Sequence, residues 1–245
     1  MSEPKSTESE IQASYAGHDF AEGYVKHRFV SEIGRLLHDR QVQAINDHVQ
    51  KYRPSKVLEI APGPGRITRD IRPTGELMCL EFNEGMIAEG RRACKNGAKF
   101  VQGNAFELPF GQEFDLVYSF RFIRHFHQED RIRLYDQIKK VLKPKGCLIM
   151  DAVNRRLSEP LRKADPASYP IYDKLYDEAG LRREMAECGF ETLELVPVQK
   201  RYELQFKSQV LLGPRVNWLN RMFIRGLERL PARDGLEWII TCRLS

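Results

Sequence analysis

The sequence Glu59-Ile-Ala-Pro-Gly-Pro-Gly65 continues a short apolar run that begins at Val57. A run of this length predicts a buried strand, and the glycines allow a tight turn after it. A second apolar run starts at Leu77 and ends in Glu81, 22 positions after Glu59. A carboxylate at the tip of the second strand can accept hydrogen bonds from both hydroxyls of a ribose. This stretch therefore predicts a βαβ unit that binds a nucleoside-bearing cofactor.

The glycine turn also distinguishes between two kinds of cofactor. A dinucleotide turn has the pattern Gly-x-Gly-x-x-Gly or Ala, with a phosphate at the start of the next helix. Here the pattern is Gly63-x-Gly65-x-x-Thr68, and a helix is predicted to start over Thr68–Ile71. Glu59 would repel a pyrophosphate and attract a ligand that carries an ammonium and a sulfonium. A tight strand–helix turn in some other α/β protein is the alternative interpretation.

The composition is that of a soluble globular protein, with 42% hydrophobic and 30% charged residues in a chain of 245. A net charge of +5 is too small to indicate a nucleic-acid-binding surface, so no nucleic-acid partner is expected. No apolar run approaches the roughly 20 residues of a membrane span. Residues 1–10 are polar and do not resemble a signal peptide, so the cytoplasm is the expected location.

The five cysteines are scattered along the chain. They form no Cys-x-x-Cys pair and no cluster with histidine at the spacing of metal ligands. The sequence therefore predicts neither a metal site nor a disulfide framework.

Strand and helix signals alternate along most of the chain, which favours a parallel doubly wound sheet. A helix is predicted over Glu129–Leu142, and another helical pattern covers about Ser14–Arg53. Two late strands, Thr192–Leu204 and Leu236–Leu244, lack an ordinary crossover helix, which suits an antiparallel edge. The earlier strands are predicted at Lys56–Ile60, Leu77–Phe82, Lys99–Gln102, Phe114–Ser119 and Cys147–Ala152.

Four segments in this order resemble the class I S-adenosylmethionine-dependent methyltransferases. Glu59–Gly65 is similar to the family's first motif, an acid followed by Gly-x-Gly-x-Gly, with Ala61 at the first glycine. Gly103–Ala105 follows the third strand, where the family usually has an acid that binds the adenine amine. Phe114–Ser119 matches the approach to the fourth strand, and Leu142–Gly146 is similar to the family's Leu-Lys-Pro-Gly-Gly turn.

The resemblance covers about residues 57–151 and implies a Rossmann-like, seven-stranded sheet with an antiparallel last strand and helices on both faces. It implies S-adenosylmethionine as the cofactor and methyl transfer by in-line displacement, an activity of the EC 2.1.1 class. Asn104 replaces the usual acid, but its amide oxygen can still accept from the adenine amine. The cofactor-binding residues that the resemblance implies are Glu59, Ala61, Gly63, Gly65, Glu81, Phe82, Asn104, Ala105, Ser119 and Phe120.

The segment after the fourth strand, Phe120–Phe126, is where many small-molecule members carry a His-His pair. Here that pair reads Arg124-His125, which makes His125 the candidate general base, with Arg124 beside it, because imidazole titrates near neutral pH. Packing of a short helix is the alternative role for His125. Arg121 and Arg124 would share a helix face and could hold an anionic group of the acceptor, pair with acids such as Asp151, or meet the methionine carboxylate.

The resemblance implies an N-terminal helical lid over residues 1–54 and a methyltransferase domain over 55–245, with cap insertions at about 155–178 and 205–233. Tyr24 and Arg28 in the lid and Tyr172 in the first cap, together with Arg121, are candidates for acceptor binding. The second cap combines aromatic and basic residues around Trp218. Such a segment is either a membrane-surface or lipid-handling element or a solvated helix packed by its apolar stripe.

No motif for methylating nucleic-acid amines or pyrimidine rings is present in the sequence. The expected acceptor is therefore a small molecule, with oxygen favoured over nitrogen or carbon and an anionic or lipid-linked compound as the candidate class. Two alternatives stay open: a catalytically idle protein that only binds the cofactor, and a nicotinamide-dependent oxidoreductase. The acceptor's identity, the oligomeric state and the pathway are left open by the sequence.

Overall fold

The computed structural model describes residues 31–245, and the predicted lid residues Tyr24 and Arg28 lie outside this range. The helices are α1 Glu32–Tyr52, α2 Glu84–Ala93, α3 Gln128–Val141, α4 Arg155–Ala164, α5 Glu178–Glu187, α6 Tyr202–Leu211 and α7 Asn217–Arg229. The strands are β1 Lys56–Ile60, β2 Glu76–Glu81, β3 Lys99–Gln102, β4 Phe114–Ser119, β5 Leu142–Asn154, β6 Leu175–Tyr176, β7 Phe190–Lys200 and β8 Gly235–Leu244. Single 3-10 turns lie at Thr68–Asp70, Ile123–His125 and Pro166–Ser168.

The strands form one mixed sheet in the order β3-β2-β1-β4-β5-β8-β7, and the two-residue strand β6 pairs with β5 beside this path. Strand β8 runs antiparallel to both of its neighbours, β5 and β7. The other pairings along the path are parallel. The predicted Rossmann-like fold with an antiparallel last strand is confirmed, with β6 as an addition to the seven expected strands.

Helices cover both faces of the sheet because each strand sends apolar side chains to both sides. Leu58 of β1 packs in one core with residues of α3 and α5, such as Tyr135 and Leu181. The preceding residue, Val57, packs in the opposite core, which includes Ile45 of α1. Strands buried on both faces read as continuous apolar runs, which is why the strand signals in the sequence were clear.

Two local predictions were wrong. The helix expected from Thr68 is a single 3-10 turn, because Pro73 disfavours helical backbone in the residue before it. The strand expected to reach Leu204 ends at Lys200, where Gln199 and Arg201 have positive φ angles, and α6 follows. The turn expected at Leu142–Gly146 is present, because helix α3 ends at Val141, Lys145 has a positive φ angle, and the register with β4 shifts between Leu142 and Cys147.

Candidate active site

A cleft of about 330 Å³ lies at the carboxyl ends of β1, β2 and β4. Parallel α/β sheets bind their ligands at this edge, where the strand order changes direction. Predicted cofactor-binding residues that line the cleft are Glu59, Ala61, Gly63, Glu81, Phe82, Asn104, Ala105 and Phe120.

The loop after β1 takes left-handed backbone at alternate residues, with φ of 55° at Ala61, 58° at Gly63 and 76° at Gly65. A Cβ on Gly65 would lie 2.7 Å from Cys94 Sγ. Gly65 therefore lies beneath the cleft and allows the loop to pack closely against the chain at the end of α2. Ala61 takes the same left-handed conformation without the freedom of a glycine, which costs free energy.

Glu81 fixes this loop to the end of β2. One carboxylate oxygen accepts from the backbone N–H of Gly63 at 2.9 Å, and the other accepts from the N–H groups of Phe82 and Asn83. Burial raises the pKa of Glu81 above its usual value. The carboxylate thus faces the cleft in a position set by three backbone donors.

Glu59 is buried at the base of the cleft and accepts hydrogen bonds from the hydroxyls of Thr68 at 2.5 Å and Tyr118 at 2.8 Å. Its burial raises the pKa of the carboxyl group to about 7. A cationic ligand group would restore the ionised form, so this residue is suited to receive an ammonium.

Arg66 brings a positive charge to the same cleft, and the sequence reasoning missed it. Its guanidinium lies 3.1 Å from His38 Nδ1 and donates to Gln41 Oε1 at 2.8 Å, which anchors it to α1. Its position directly after Gly65 of the glycine turn is the feature of the sequence from which Arg66 could have been predicted. The cleft therefore offers both a carboxylate and a guanidinium, as an amino-acid moiety requires.

The remaining predicted cofactor residues lie in different environments. The side-chain oxygen of Asn104 accepts from the backbone N–H of Phe106 at 3.0 Å. The ring of Phe82 is 51% exposed, which leaves a flat apolar surface at the cleft. Ser119 lies under the cleft, where its hydroxyl donates to the carbonyl of Ile60 at 2.9 Å.

A second cavity, of about 550 Å³, adjoins the cleft, and Arg121 lines both spaces. Its walls come from α1, α4, α6, the end of β5 and the segment 165–173. The apolar and aromatic residues that line it are Ile33, Leu37, Val153, Leu161, Ile171, Tyr169, Tyr202, Phe206 and Leu236.

Arg124 is buried among three carboxylates. It lies 2.6 Å from Asp151, 3.0 Å from Asp173 and 2.9 Å from Glu237. Burial would by itself raise the pKa of Asp173, but the Arg124 guanidinium holds it well below its usual range. The expected pairing with Asp151 is present, and this saturated arrangement does not support the predicted catalytic role of Arg124.

His125 lines the second cavity, and its ring is fixed by two acceptors. Nδ1 lies 2.9 Å from the carbonyl oxygen of Tyr172 and 3.0 Å from Asp173 Oδ1. Because the Tyr172 carbonyl can only accept a hydrogen bond, Nδ1 carries a proton, and Nε2 is the ring nitrogen that could act as a base. Nε2 is buried and finds no hydrogen-bond partner within residues 31–245.

Tyr172 contributes its backbone to this arrangement, while its ring stacks on His127 at 4.3 Å between centroids. The predicted contact of the Tyr172 ring with an acceptor stays a prediction, since the ring does not line the second cavity.

Arg121 occupies the wall between the two spaces in a strained conformation, with φ of 58°. Its backbone N–H donates to Asp151 Oδ1 at 2.6 Å, and its guanidinium lies 3.9 Å from Glu237. Residues other than glycine that adopt a left-handed backbone conformation occur mostly at functional sites.

Comparisons with known proteins agree with this geometry. Residues 57–146 match the profile of a methyltransferase domain. The ubiquinone/menaquinone biosynthesis C-methyltransferase UbiE of Klebsiella pneumoniae (strain 342) is 31% identical over 58% of this chain and 68% of its own length. The chain belongs to the class I S-adenosylmethionine-dependent methyltransferases. The chain spans 62% of the related UbiE protein of Yersinia pestis, at 29% identity.

Two solved structures share the fold of this methyltransferase. The magnesium protoporphyrin IX methyltransferase of Synechocystis PCC 6803, solved with bound S-adenosylhomocysteine, has a TM-score of 0.67 at 13% identity, with 98% of this chain and 100% of that chain covered. A methyltransferase of Thermotoga maritima, described as a possible histamine N-methyltransferase, has a TM-score of 0.64 at 18% identity, with 93% and 97% covered.

The family assignment makes the chain an S-adenosylmethionine-dependent methyltransferase of the EC 2.1.1 class and confirms the predicted cofactor. It does not support the nicotinamide-dependent alternative. Over residues 31–245, no helix is both long and apolar enough to cross a membrane. The same part of the chain holds no group of three or more His, Cys, Asp or Glu residues that could bind a metal ion.

Proposed function

We propose that this methyltransferase acts on a small, largely apolar acceptor bound in the second cavity. The observation that carries the proposal is the adjacency of two spaces that share Arg121. One space has the charged groups that suit the cofactor, and the other combines apolar and aromatic walls with a histidine and a set of paired arginines and carboxylates. A volume of about 550 Å³ is typical of small-molecule sites.

In the proposed arrangement, Glu81 binds the ribose hydroxyls and Phe82 packs on the adenine. Glu59 and Arg66 would receive the ammonium and carboxylate of the methionine moiety. When bound, S-adenosylmethionine supplies an electrophilic methyl group on a sulfonium. The protein's part is to align the acceptor with that methyl group and to exclude water.

The charges around the second cavity favour an acceptor without net charge. Arg121, Arg124 and Arg162 are matched by Asp151, Asp173 and Glu237. This balance leaves no excess of positive charge for a carboxylate or phosphate. We therefore infer a neutral acceptor in place of the anionic compound expected from the arginines alone.

The acceptor atom that the relatives favour is carbon. Those relatives are named as C-methyltransferases of ubiquinone/menaquinone biosynthesis, and nothing supports the oxygen expected from the sequence. A phenol contains both kinds of acceptor atom, the oxygen expected from the sequence and the carbon that the relatives favour. Loss of its hydroxyl proton makes the neighbouring ring carbons nucleophilic. His125 Nε2 would take that proton, while Asp173 and the Tyr172 carbonyl lie at Nδ1 and stabilise the charged ring. Once the methyl group has moved from the sulfonium to the ring carbon, the hydrogen on that carbon leaves as a proton, the oxygen regains one from His125, and the ring becomes aromatic again.

The test is methyl transfer from methyl-¹³C-labelled S-adenosylmethionine to a panel of phenols and hydroquinones, with products assigned by NMR. We expect a methyl group on a ring carbon, and His125→Gln should lower kcat by about 100-fold or more without changing the affinity for the cofactor. The matched control is His127→Gln, which alters the neighbouring ring stack only. A methyl ether as product would contradict the carbon acceptor, and full turnover in His125→Gln would contradict the base.

A further inference from the structure

Helices α6 and α7 form an antiparallel hairpin that buries two polar pairs beside the apolar residues Ile224 and Leu227. Ser208 Oγ donates to Asn220 Oδ1 at 2.8 Å, and Gln205 Nε2 donates to Glu228 Oε2 at 3.1 Å. All four of these polar side chains are buried. A helix on the surface of a water-soluble protein normally buries most of its large apolar residues, whereas these two helices bury only Ile224 and Leu227 of theirs.

The side of the hairpin that faces solvent is apolar. Trp218 is 65% exposed and Met222 is 63% exposed, and they lie one helical turn apart. Large contiguous apolar patches on a protein surface mark interaction sites. We call this surface the apolar outer face, and its residues are Leu204, Phe206, Val210, Leu211, Trp218, Leu219, Met222 and Phe223.

The same segment concentrates positive charge. Residues 201–233 contain seven arginines and lysines and only two acids, an excess of five. Two of these cations, Arg221 and Arg225, pair with Glu32 and Asp39 of α1. The other five are exposed and carry the positive charge of the hairpin surface: Arg201, Lys207, Arg215, Arg229 and Arg233. An apolar face flanked by basic residues matches the surface of a bilayer that contains anionic lipids, since the apolar side chains enter the headgroup boundary and the cations meet the headgroups.

We propose that the α6–α7 hairpin binds the surface of anionic lipid bilayers through the apolar outer face. A second copy of the chain is the competing occupant, but a symmetric contact would place two faces with the same excess of positive charge against each other. The basic excess therefore selects the bilayer over self-association.

The apolar outer face lies beside the second cavity, so contact with a bilayer would bring the cavity to the membrane surface. Phe206 belongs to the apolar outer face and also lines the second cavity, together with Tyr202 of the same helix. A lipophilic acceptor dissolved in the bilayer would thus meet the mouth of the cavity at the contact surface. This route rests on the proposed function, whereas binding of the hairpin to a bilayer does not.

Tryptophan fluorescence offers a direct probe, because the chain has two tryptophans and Trp238 is buried. In the full-length Trp238→Phe variant, the emission reports on Trp218 alone. Vesicles of phosphatidylcholine mixed equally with phosphatidylglycerol should shift this emission to the blue, and brominated lipid chains should quench it. Vesicles of phosphatidylcholine alone should bind more weakly, by about fivefold for each basic residue at the surface.

Sedimentation with the same vesicles tests the face by substitution. Trp218→Glu combined with Met222→Glu should reduce binding to mixed vesicles by about tenfold or more. The matched control is Ile132→Glu, an exposed apolar position on α3 that should leave binding unchanged. Cofactor affinity measured in the same variants shows that they remain folded and separates this proposal from the proposed function.

Three outcomes would overturn the proposal. The first is the absence of any vesicle binding by the wild-type protein. The second is equal binding to neutral and mixed vesicles, which would remove the role of the charges. The third is a dimer in sedimentation velocity that the double glutamate variant dissociates, because the face would then join two copies of the chain.

Discussion

At Ala61 the backbone has φ of 55°, in the first glycine position of the family's motif. Arg121 and Lys145 also have left-handed backbone without being glycine. Ala61 and Arg121 line the proposed site. We infer that the strained backbone at these two residues is retained because it places the loop and the Arg121 guanidinium at the site.

The strain at Ala61 is testable by removal. Ala61→Gly should raise the free energy of unfolding by about 0.5–1 kcal/mol, because the relief of left-handed strain exceeds the added chain entropy. Urea denaturation gives this value. The control Ala88→Gly, on the exposed side of α2, should lower it by about 1 kcal/mol. Loss of stability in Ala61→Gly would contradict the strain.

The raised pKa of Glu59 predicts a proton linked to cofactor binding. Below its pKa of about 7 the buried carboxyl is protonated, and an arriving ammonium favours the ionised form, so binding should release a proton. Affinity for S-adenosylhomocysteine should therefore rise with pH up to about 7 and then level off. Calorimetry in buffers of different ionisation enthalpy counts the protons, at about pH 6 and about pH 8. Equal proton release by Glu59→Gln would assign the effect to another group.

Residues in the cofactor cleft could be predicted because the motif places them at fixed spacing, as for Glu59 and Glu81. Pairing of Arg124 with Asp151 was one of the predicted alternatives, but Asp173 and Glu237 could not be predicted because they come from distant parts of the chain. The spacing of Arg121 and Arg124 suggested a shared function. The fold instead gives one of them three carboxylates and leaves the other between two cavities.

Among the elements, β1, β2, β3, β4 and β8 were predicted within one or two residues of their observed bounds, whereas β5 and β7 differ from their predicted bounds by several residues. Helices α6 and α7 were harder to predict, since they expose apolar residues and bury polar ones. The strand predicted to reach Leu204 was extended too far for this reason. The apolar residue Leu204 lies on the exposed face of helix α6 and not in the strand.

Helices α3 and α5 are joined by the buried pair of Arg131 and Glu184, with two parallel hydrogen bonds of 2.9 and 2.7 Å. Tyr176 also donates to Glu184, at 2.6 Å, which ties down the segment that carries Asp173. Burial opposes ionisation of Glu184, but Arg131 holds its pKa below the ordinary 4.5. The stabilisation is therefore present above pH 4.5 and is lost as the pH falls through the folded-state pKa.

Glu184→Gln should lower the free energy of unfolding by about 3 kcal/mol, because it leaves a buried guanidinium without its counter-charge. Denaturant titration at neutral pH gives the value. Glu178→Gln on the same helix breaks an exposed pair with Arg182 and should cost less than about 1 kcal/mol. Similar losses in both variants would mean that the buried pair has no special part in joining the helices.

In the whole molecule, two spaces lie on either side of Arg121, and we propose that one holds the cofactor and the other the acceptor. The sheet positions the first through the ends of β1, β2 and β4. Helices α4 and α6 contribute walls to the second. The separation predicts that a change in one space can leave binding in the other intact.

The most direct test fills the second cavity with Leu161→Trp, and compares it with Lys163→Trp on the exposed side of the same helix. Calorimetry with S-adenosylhomocysteine and transfer to the acceptor found in the phenol panel are measured in both variants. We expect an unchanged cofactor affinity in both variants. Methyl transfer should be reduced about tenfold or more in Leu161→Trp alone. Full methyl transfer by Leu161→Trp would contradict the assignment of separate spaces to cofactor and acceptor. A loss of cofactor affinity in Leu161→Trp would contradict it as well.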